Sequence, residues 1–289
     1  MPREVRERTL ALLRGDFEPP GTRDATTVVL VPDGGPVRTY LMRRASTMAF
    51  APGMWVFPGG RIDAGDHEIP VLGDVSARRL SAVSADAAQG LIAGAVREVF
   101  EETSVLLAVD GSGRTPVEDD SWEADREAVA TGARSFADVL AARDLRIDVR
   151  ALHLWTHWVT PEMETRRYDV RFFVAQVPRG QQVRDVSGEA DRTGWFTAPE
   201  ALRAYGAGDM PMLPPTVATL AEIAAVSDVG QLIASAGDRD VKPLMPRPRL
   251  LDDGEITWDV VDVRDGSTVI SMAQEPAGSE VAGTSERPT

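Results

Sequence analysis

The 289-residue chain contains no cysteine. Disulfide bonds, zinc sites built on thiolates and a cysteine nucleophile are therefore excluded. It also lacks any apolar run near the roughly eighteen residues that a membrane-spanning helix needs, so no membrane partner is expected. The first residues, MPREVRERTLALLRGDFEPP, lack the continuous apolar region and small-residue cleavage site of a secretory signal. We expect a cytoplasmic protein.

Basic residues are outnumbered. The chain has 31 Lys and Arg against 45 Asp and Glu, which gives a net charge of −14. Proteins that bind nucleic acids usually present a basic patch, so nucleic acid is not an expected partner. The composition, 43% hydrophobic and 26% charged, is globular, and no internal repeat is present. An acidic protein that binds phosphate groups would need a cation to bridge its own negative charge and that of the phosphates.

Strands and helices are expected to follow one another along the chain. Val28–Val31 and Val37–Met42 flank the turn residues 33–35 and predict a β-hairpin, followed by a short strand over Met54–Phe57. A helix is predicted over 84–107, with Ser84 or Asp86 as its N-cap. Further strands are predicted at 151–160, 166–177, 193–197 and 255–263, and further helices at 136–145, 199–208, 214–226 and 229–236. Residues 109–134 are predicted to be a loop with one short helix, and the acidic run 118–125 within them is interpreted as a solvated loop. The proline-rich run 242–250 is interpreted as a polyproline-like connector.

The helix over 84–107 carries three glutamates on one side. Glu98, Glu101 and Glu102 span about 100° of the helical wheel, opposite an apolar stripe that must face a core. Like charges at this spacing repel, and Mg²⁺, which prefers oxygen ligands, would offset the repulsion. Gly90 and Gly94 lie on or near the same side and would permit close approach of a ligand or of the loop that begins at Pro58-Gly59-Gly60. A solvated acidic face is the alternative that spacing alone leaves open.

The segments FPGGRIDAGD and REVFEETSV together resemble the Nudix hydrolase signature. The resemblance implies that Glu98, Glu101 and Glu102 bind Mg²⁺, with Mn²⁺ as a substitute, and that Gly60 is the first glycine of the signature and a further metal ligand. It implies that Arg97 orients the glutamates through salt bridges. The fold it implies is a Nudix α/β/α sandwich, with a mixed curved sheet and extra helices at the C-terminal end.

Two features depart from the family pattern. Asp66 stands where the signature has a glutamate, and about thirty residues separate it from Arg97, in place of the usual seven or so. An insertion, assigned to residues 67–83, therefore interrupts the signature. Ser104 replaces the glycine that normally follows the glutamate pair. Asp66 is retained as a candidate catalytic residue.

The interrupted signature resembles the coenzyme A diphosphatase-like branch of the family. That branch has an upstream motif whose register is kept here, except that Ala49 occupies the position of its second arginine. The segments WVTPEMETRRYDVRFFVAQVP and PPTVATL are also similar to this branch, so the resemblance covers about residues 24–225. The motif implies five substrate-binding residues: Arg44, Gly53, Phe57, Gly59 and Gly60.

Other charged residues are weaker candidates. Arg166 and Arg167 open an apolar strand and match the geometry of a substrate phosphate, with edge-strand solvation as the alternative. Glu162 or Glu164 is a candidate general base, and Glu189 a candidate metal ligand or base; solvated loop residues are the alternative for all three. Three histidines complete the set: His153 and His157 are interpreted as packed or hydrogen-bonded, and His67 as solvated.

The resemblance implies hydrolysis of coenzyme A or an acyl-coenzyme A to 3′,5′-ADP and the (acyl-)phosphopantetheine. Cleavage of ADP-ribose, NADH or an oxidised nucleotide, and a non-catalytic nucleotide-binding module, are the alternatives. A homodimer is one open arrangement. The expected organisation is an N-terminal extension (1–23), the Nudix domain (24–225), a C-terminal helical and strand extension (226–273) and a disordered tail (274–289).

Overall fold

The computed structural model describes residues 1–48, 50–74, 80, 84–119, 121–186 and 188–272. The strands, in chain order, are Thr22–Val31 (β1), Thr39–Arg44 (β2), Trp55–Val56 (β3), Gly59–Arg61 (β4), Val71–Leu72 (β5), Ile147–Asp148 (β6), His153–Val159 (β7), Arg167–Gln176 (β8), Ala190–Phe196 (β9), Pro243–Leu250 (β10), Ile256–Asp262 (β11) and Thr268–Met272 (β12). The α-helices are Arg3–Arg14 (α1), Ala85–Thr103 (α2), Trp122–Ala130 (α3), Phe136–Ala142 (α4), Ala198–Gly206 (α5), Pro214–Ile223 (α6) and Val229–Gly237 (α7). Short 3₁₀ turns cover Ala64–Glu68 and Val149–Ala151.

A mixed sheet forms the centre of the molecule. Its strand order is β12-β11-β10-β7-β8-β1-β4. The pairs β1–β8 and β7–β10 are parallel, and the other neighbours are antiparallel. A smaller antiparallel sheet, β3-β2-β9, and a parallel pair, β5–β6, complete the strand pairings of the described residues. β4 is therefore one edge of the large sheet.

Two hydrophobic cores cover the two faces of this sheet. On one face, Val28 and Phe173 pack with α2, whose Val96 and Val99 are fully buried. On the other, Val29 packs with α5, α6 and α7. The α/β/α sandwich expected from the sequence is thus confirmed. None of the helices in the described ranges is long and apolar enough to cross a bilayer.

Helix α2 begins and ends at recognisable caps. Ser84, one of the two predicted N-caps, accepts a hydrogen bond on its hydroxyl from the Ala87 N–H at 3.2 Å. The helix ends at Thr103, four residues before the predicted end, because Ser104 turns left-handed with φ +64°. The apolar residues beyond Ser104 that prolonged the predicted helix are buried outside it, in the core.

The predicted hairpin was wrong. Both strands exist, but β1 pairs with β8 and β4, whereas β2 pairs with β3 and β9. Both edges of β1 are already occupied, so the chain after the turn enters the second sheet. The alternation of residue types that predicts a strand says nothing about its partner.

Three loop assignments also need correction. The run 118–125 is not simply a solvated loop, because Trp122 opens α3 and is 1% exposed. The run 242–250 is not a connector, since it contains β10, paired along its length with β11. Beyond Leu244, β10 has no hydrogen-bonded partner on the β7 side among the described residues, so Pro246 and Pro248 are tolerated there. Residues 59–61, interpreted as a loop, form β4.

Some predictions lie wholly or partly outside the described residues. These are the side chain of Ala49, the disordered tail 274–289 and most of the second half of the insertion, 75–79 and 81–83. The first half of the insertion contributes the end of a 3₁₀ turn and β5.

Candidate active site

Gly59 brings the β4 backbone against β1. Its φ is +152°, and a Cβ atom there would lie 2.2 Å from the carbonyl oxygen of Thr26. Its N–H donates to Glu102 Oε2 at 2.8 Å. A glycine is required here for its backbone conformation as well as for space, and it fixes the carboxylate of Glu102.

Gly60 lies directly under the carboxylate of Glu98. A Cβ atom on Gly60 would come within 2.5 Å of the carboxyl carbon and both carboxylate oxygens of Glu98. The paired glycines after Phe57 and Pro58 therefore serve two different contacts: one with the neighbouring strand and one with the helix.

Arg97 connects the loop to the glutamates. Its Nε and Nη2 donate to the two oxygens of Asp66, each at 2.9 Å. Its Nη1 donates to Glu98 and Glu101, both at 3.0 Å, and Nη2 also reaches the carbonyl oxygen of Arg61 at 2.9 Å. The salt bridges expected of Arg97 are present. Burial alone would lower the pKa of Arg97, but the hydrogen bond with Asp66 and the surrounding carboxylates outweigh it and raise the pKa.

Asp66 is buried and hydrogen-bonded within the described part of the chain. Its side chain is 2% exposed, and besides Arg97 it accepts a hydrogen bond from the N–H of Asp63 at 2.8 Å. Gly94 makes room for it, since a Cβ there would lie 2.9 Å from Asp66 Oδ2 and 2.6 Å from Ile62 Cδ1. Asp66 thus meets Arg97 in space although about thirty residues separate them in sequence.

His67 was expected to be solvated, but it packs on α2. Its ring lies over Gly90, where a Cβ would come within 2.6 Å of the imidazole. Its Nδ1 is 3.2 Å from the Asp86 carbonyl oxygen, and its own carbonyl accepts from Gln89 Nε2 at 2.8 Å. The glycines that the sequence placed on the glutamate side of the helix therefore admit the Ile62–His67 segment.

The three glutamates form a desolvated negative cluster. Burial raises the pKa of Glu98 to about 7, against the opposing attraction of Arg97. Burial likewise raises the pKa of Glu101, again opposed by Arg97. For Glu102, burial and then repulsion by Glu98 hold the pKa well above its usual value. The cluster carries more buried negative charge than Arg97 offsets.

This donor set fits a hard divalent cation. Carboxylate and carbonyl oxygens are the ligands that such cations prefer, and a cation would relieve the repulsion that raises the pKa of Glu102. Glu98, Glu101, Glu102 and the Gly60 backbone are the residues that would hold it. Among the described side chains no group of three carboxylates or histidines already converges on one point, since Arg97 draws Glu98 and Glu101 to itself.

A second charged pair faces the cluster from the smaller sheet. Arg44, at the end of β2, lies 3.7 Å from Glu189, and both charges act on Glu102. Arg44 Nε also donates to the carbonyl oxygen of Phe50 at 3.0 Å, and Gly53, with φ +74°, donates to the carbonyl oxygen of Arg44. The predicted residues Arg44 and Glu189 thus lie beside Glu102, and Gly53 is hydrogen-bonded to the backbone of Arg44.

Three other predicted residues have no hydrogen bond or ion pair with the glutamate cluster in the described part of the chain. Phe57 is 2% exposed in the core. Arg167 is committed to the carbonyl oxygens of Thr160 and Pro20, at 3.1 and 2.9 Å. Its neighbour Arg166 precedes the strand and is exposed, with no ion pair among the described residues.

The remaining candidates have local partners. Glu164 lies 3.9 Å from Arg8 of α1, and no contact of Glu162 with the glutamate cluster is present among the described residues. His157 is 3% exposed and pairs with Asp169, as the interpretation of a hydrogen-bonded histidine requires. His153 likewise lies in β7 and is half-buried. The contact missing from the sequence reasoning was the Arg61 carbonyl, because a backbone acceptor leaves no mark in residue identity.

Comparison with known proteins identifies relatives across this region. The family model described as the NUDT19 Nudix domain matches residues 67–223, more than half of the chain. The chain is 26% identical over 256 residues to the acyl-coenzyme A diphosphatase NUDT19 of Xenopus laevis, covering 74% of this chain and 67% of that protein. For the human protein of the same name the identity is 26% over 266 residues, with 76% and 70% covered. A crystal structure of a Nudix hydrolase from Alicyclobacillus acidocaldarius matches with a TM-score of 0.60 and 30% identity, covering 74% of this chain and 96% of that one.

Proposed function

The chain belongs to the Nudix hydrolases, and on that premise we propose that it cleaves the diphosphate of coenzyme A or an acyl-coenzyme A. Hydrolysis of a pyrophosphate bond follows from the family itself. The choice of substrate is supported by the two relatives named acyl-coenzyme A diphosphatase, each aligned over about three quarters of the chain. In the proposed reaction water adds across the P–O–P bond, and the products are 3′,5′-ADP and the (acyl-)phosphopantetheine.

One observation carries the chemistry: Arg97 binds Asp66, Glu98 and Glu101 at the same time. This contact holds the glutamates next to the Gly59-Gly60 backbone. A cluster of this kind, buried and net negative, suits an anionic diphosphate only through a cation.

Nudix hydrolases generally use divalent metal ions, and we propose Mg²⁺, with Mn²⁺ as a substitute. Glu98, Glu101, Glu102 and the Gly60 carbonyl would hold it. When bound, the ion would neutralise diphosphate oxygens and lower the pKa of a water molecule.

The chain's own residues would do the rest. Arg97 orients Glu98 and Glu101, and Asp66, both of whose oxygens accept hydrogen bonds from Arg97, positions that arginine. Arg44 presents a guanidinium beside Glu102, where it would pair with a diphosphate oxygen. The proton acceptor is proposed among the glutamates.

The test is mass spectrometry of products after incubation with Mg²⁺ and a substrate panel. The panel holds coenzyme A, acetyl-coenzyme A, NADH, ADP-ribose and 8-oxo-dGTP. Phosphopantetheine should form with the wild type, stop on chelation of the metal, and be absent with the Glu101→Gln/Glu102→Gln variant. Glutamine at 102 still accepts the Gly59 hydrogen bond, so this variant should fold. Glu255→Gln, an exposed position, is the control for loss of a carboxylate.

The other outcomes separate the alternatives. Cleavage of NADH, ADP-ribose or 8-oxo-dGTP alone would retain Nudix chemistry and reject coenzyme A and its acyl forms as the substrate. Binding of nucleotides without any turnover, under Mg²⁺ or Mn²⁺, would reject the enzyme in favour of a nucleotide-binding module. A cytoplasmic location and a homodimer are further proposals, which fractionation of cells and light scattering would test.

A further inference from the structure

An exposed aromatic pair lies on the sheet face that points away from α2. The ring of Phe50 is 40% exposed and meets the ring of Tyr168 edge-on, with 5.6 Å between centroids. Tyr168 belongs to β8 and is half-buried. A large apolar ring held in solvent over a second ring offers a surface on which a flat ligand can stack.

The strand register places two arginines beside this pair. Tyr168 is paired with Arg23 across β8 and β1, and Ala25 with Arg61 across β1 and β4. Neighbouring paired residues share a face, and so do residues two apart on one strand. Tyr168, Arg23 and Arg61 therefore lie on one face, and as diagonal neighbours the two arginines have Cα atoms about 7–8 Å apart.

Both arginines are exposed, and within the described residues neither guanidinium has a hydrogen bond or an ion pair. Arginines near the glutamates differ in this respect, since Arg97 and Arg44 are both ion-paired. Two free guanidinium groups beside an exposed aromatic ring match a phosphate next to a nucleobase.

The patch is joined to the glutamate cluster at two points. The Arg61 carbonyl accepts from Arg97 Nη2 at 2.9 Å, and the Phe50 carbonyl accepts from Arg44 Nε at 3.0 Å. Gly60 faces Glu98 and its neighbour Arg61 faces the opposite side. Because β4 is the edge strand, a substrate can extend around it from one face to the other.

We propose that Phe50, Tyr168, Arg23 and Arg61 form a subsite, the outer-face subsite, for the nucleotide half of the substrate. The base stacks on the exposed ring of Phe50, which Tyr168 supports edge-on, and a phosphomonoester on the ribose pairs with Arg23 and Arg61. The inference rests on the proposed function, since it assigns the 3′-phosphate of that substrate a binding place.

The test measures binding of product fragments without metal, so that it does not depend on turnover. Isothermal titration compares 3′,5′-ADP with 5′-AMP for the wild type, Arg23→Gln/Arg61→Gln and Phe50→Ala. The wild type should bind 3′,5′-ADP about tenfold or more tightly than 5′-AMP, as expected for charge-assisted hydrogen bonds. The double variant should lose that preference, and Phe50→Ala should weaken both ligands about tenfold while keeping it.

Matched controls lie on α5. Arg203→Gln removes an exposed arginine without a side-chain ion pair in the described ranges, and Tyr205→Ala removes a ring that is 42% exposed. Neither should change the affinity for either nucleotide. Thermal unfolding of every variant verifies that each is folded.

The subsite is overturned if the double variant keeps the full preference for 3′,5′-ADP, or if the wild type has none. It is also overturned if the variants bind both ligands like the wild type but change in mass by light scattering, because the face is then an interface between copies. If the predicted binding pattern holds while no panel substrate is cleaved, the subsite stands and the proposed catalysis fails. If coenzyme A is cleaved while the double variant keeps its preference, the proposed catalysis stands and the subsite fails.

Discussion

Adding one methyl group to each glycine of the Gly59-Gly60 pair should have different consequences: at Gly60 a loss of catalytic rate, and at Gly59 a loss of stability. In Gly60→Ala the new Cβ would lie 2.5 Å from the Glu98 carboxylate, where ordinary contact begins near 3.4 Å. The obstacle is the end of a flexible side chain, so Glu98 moves by about 1 Å and the fold is kept. A displacement of that size in a catalytic group costs about a hundredfold in rate.

In Gly59→Ala the obstacle is backbone. The Cβ would meet the Thr26 carbonyl oxygen at 2.2 Å and Thr27 Cα at 2.7 Å, and φ +152° is itself unfavourable for alanine. β4 and β1 cannot move apart without breaking their pairing, so the substitution lowers the free energy of unfolding by about 2–4 kcal/mol, from strain and overpacking together. The corresponding fall in Tm is about 5–10 °C.

Pyrophosphatase assays and thermal unfolding of the two variants check both statements. Gly65→Ala, in the same loop with no atom within 4 Å of the new Cβ, is the matched control and should resemble the wild type. A Gly60→Ala enzyme with unchanged kcat would refute the role given to the Glu98 position. A Gly59→Ala protein with unchanged Tm would refute the close approach of β4 to β1.

Three further variants test other parts of the structure. Ser104→Gly should raise the free energy of unfolding in urea by about 1 kcal/mol, because glycine adopts φ +64° freely and the buried Ser104 hydroxyl has no partner among the described residues; a loss would contradict this. Asp66→Asn should lower it by about 3 kcal/mol by leaving the buried Arg97 short of an anionic partner, and an unchanged urea midpoint would show that the pair is not formed. Burial would raise the pKa of Asp169, but the hydrogen bond and charge of His157, with other partners, outweigh it and lower the pKa. The stabilisation that ionised Asp169 gives the fold is therefore complete above pH 3.8 and is lost as the pH falls through the lower folded-state pKa. Asp169→Asn should lower the free energy of unfolding by about 1–2 kcal/mol at pH 7 and by progressively less below pH 3.8. A deficit that does not change with pH would refute the linkage.

Local features of the sequence predicted the helix that carries the site. The apolar stripe and Ser84 were sufficient to place the start of α2, and the grouping of Glu98, Glu101 and Glu102 on one side follows from helical periodicity alone. The end of α2 was overestimated, because the residues after Ser104 are apolar and buried whether or not they are helical. A stripe of buried apolar residues does not show whether the backbone that carries it is helical.

Features that depend on strand pairing could not be predicted. The pairing of β1 with β8 joins residues far apart in sequence, and it alone brings Arg23 next to Tyr168. β4 contains Gly59 and Gly60 and has no hydrophobic alternation to mark it as a strand. The packing of His67 on Gly90 likewise needed the loop and helix to be placed first.

The contact between Asp66 and Arg97 has a consequence for how this chain tolerates change. The two residues close a loop across 31 positions, so the ends of the intervening segment are held together. A change in the length of that segment therefore has little effect on the free energy of folding. Extending such a loop from about seven to about thirty residues costs only about 1.3 kcal/mol of closure entropy. Evolution can therefore lengthen, shorten or replace that segment, and so try out new recognition elements, while the geometry of the glutamate cluster is inherited unchanged.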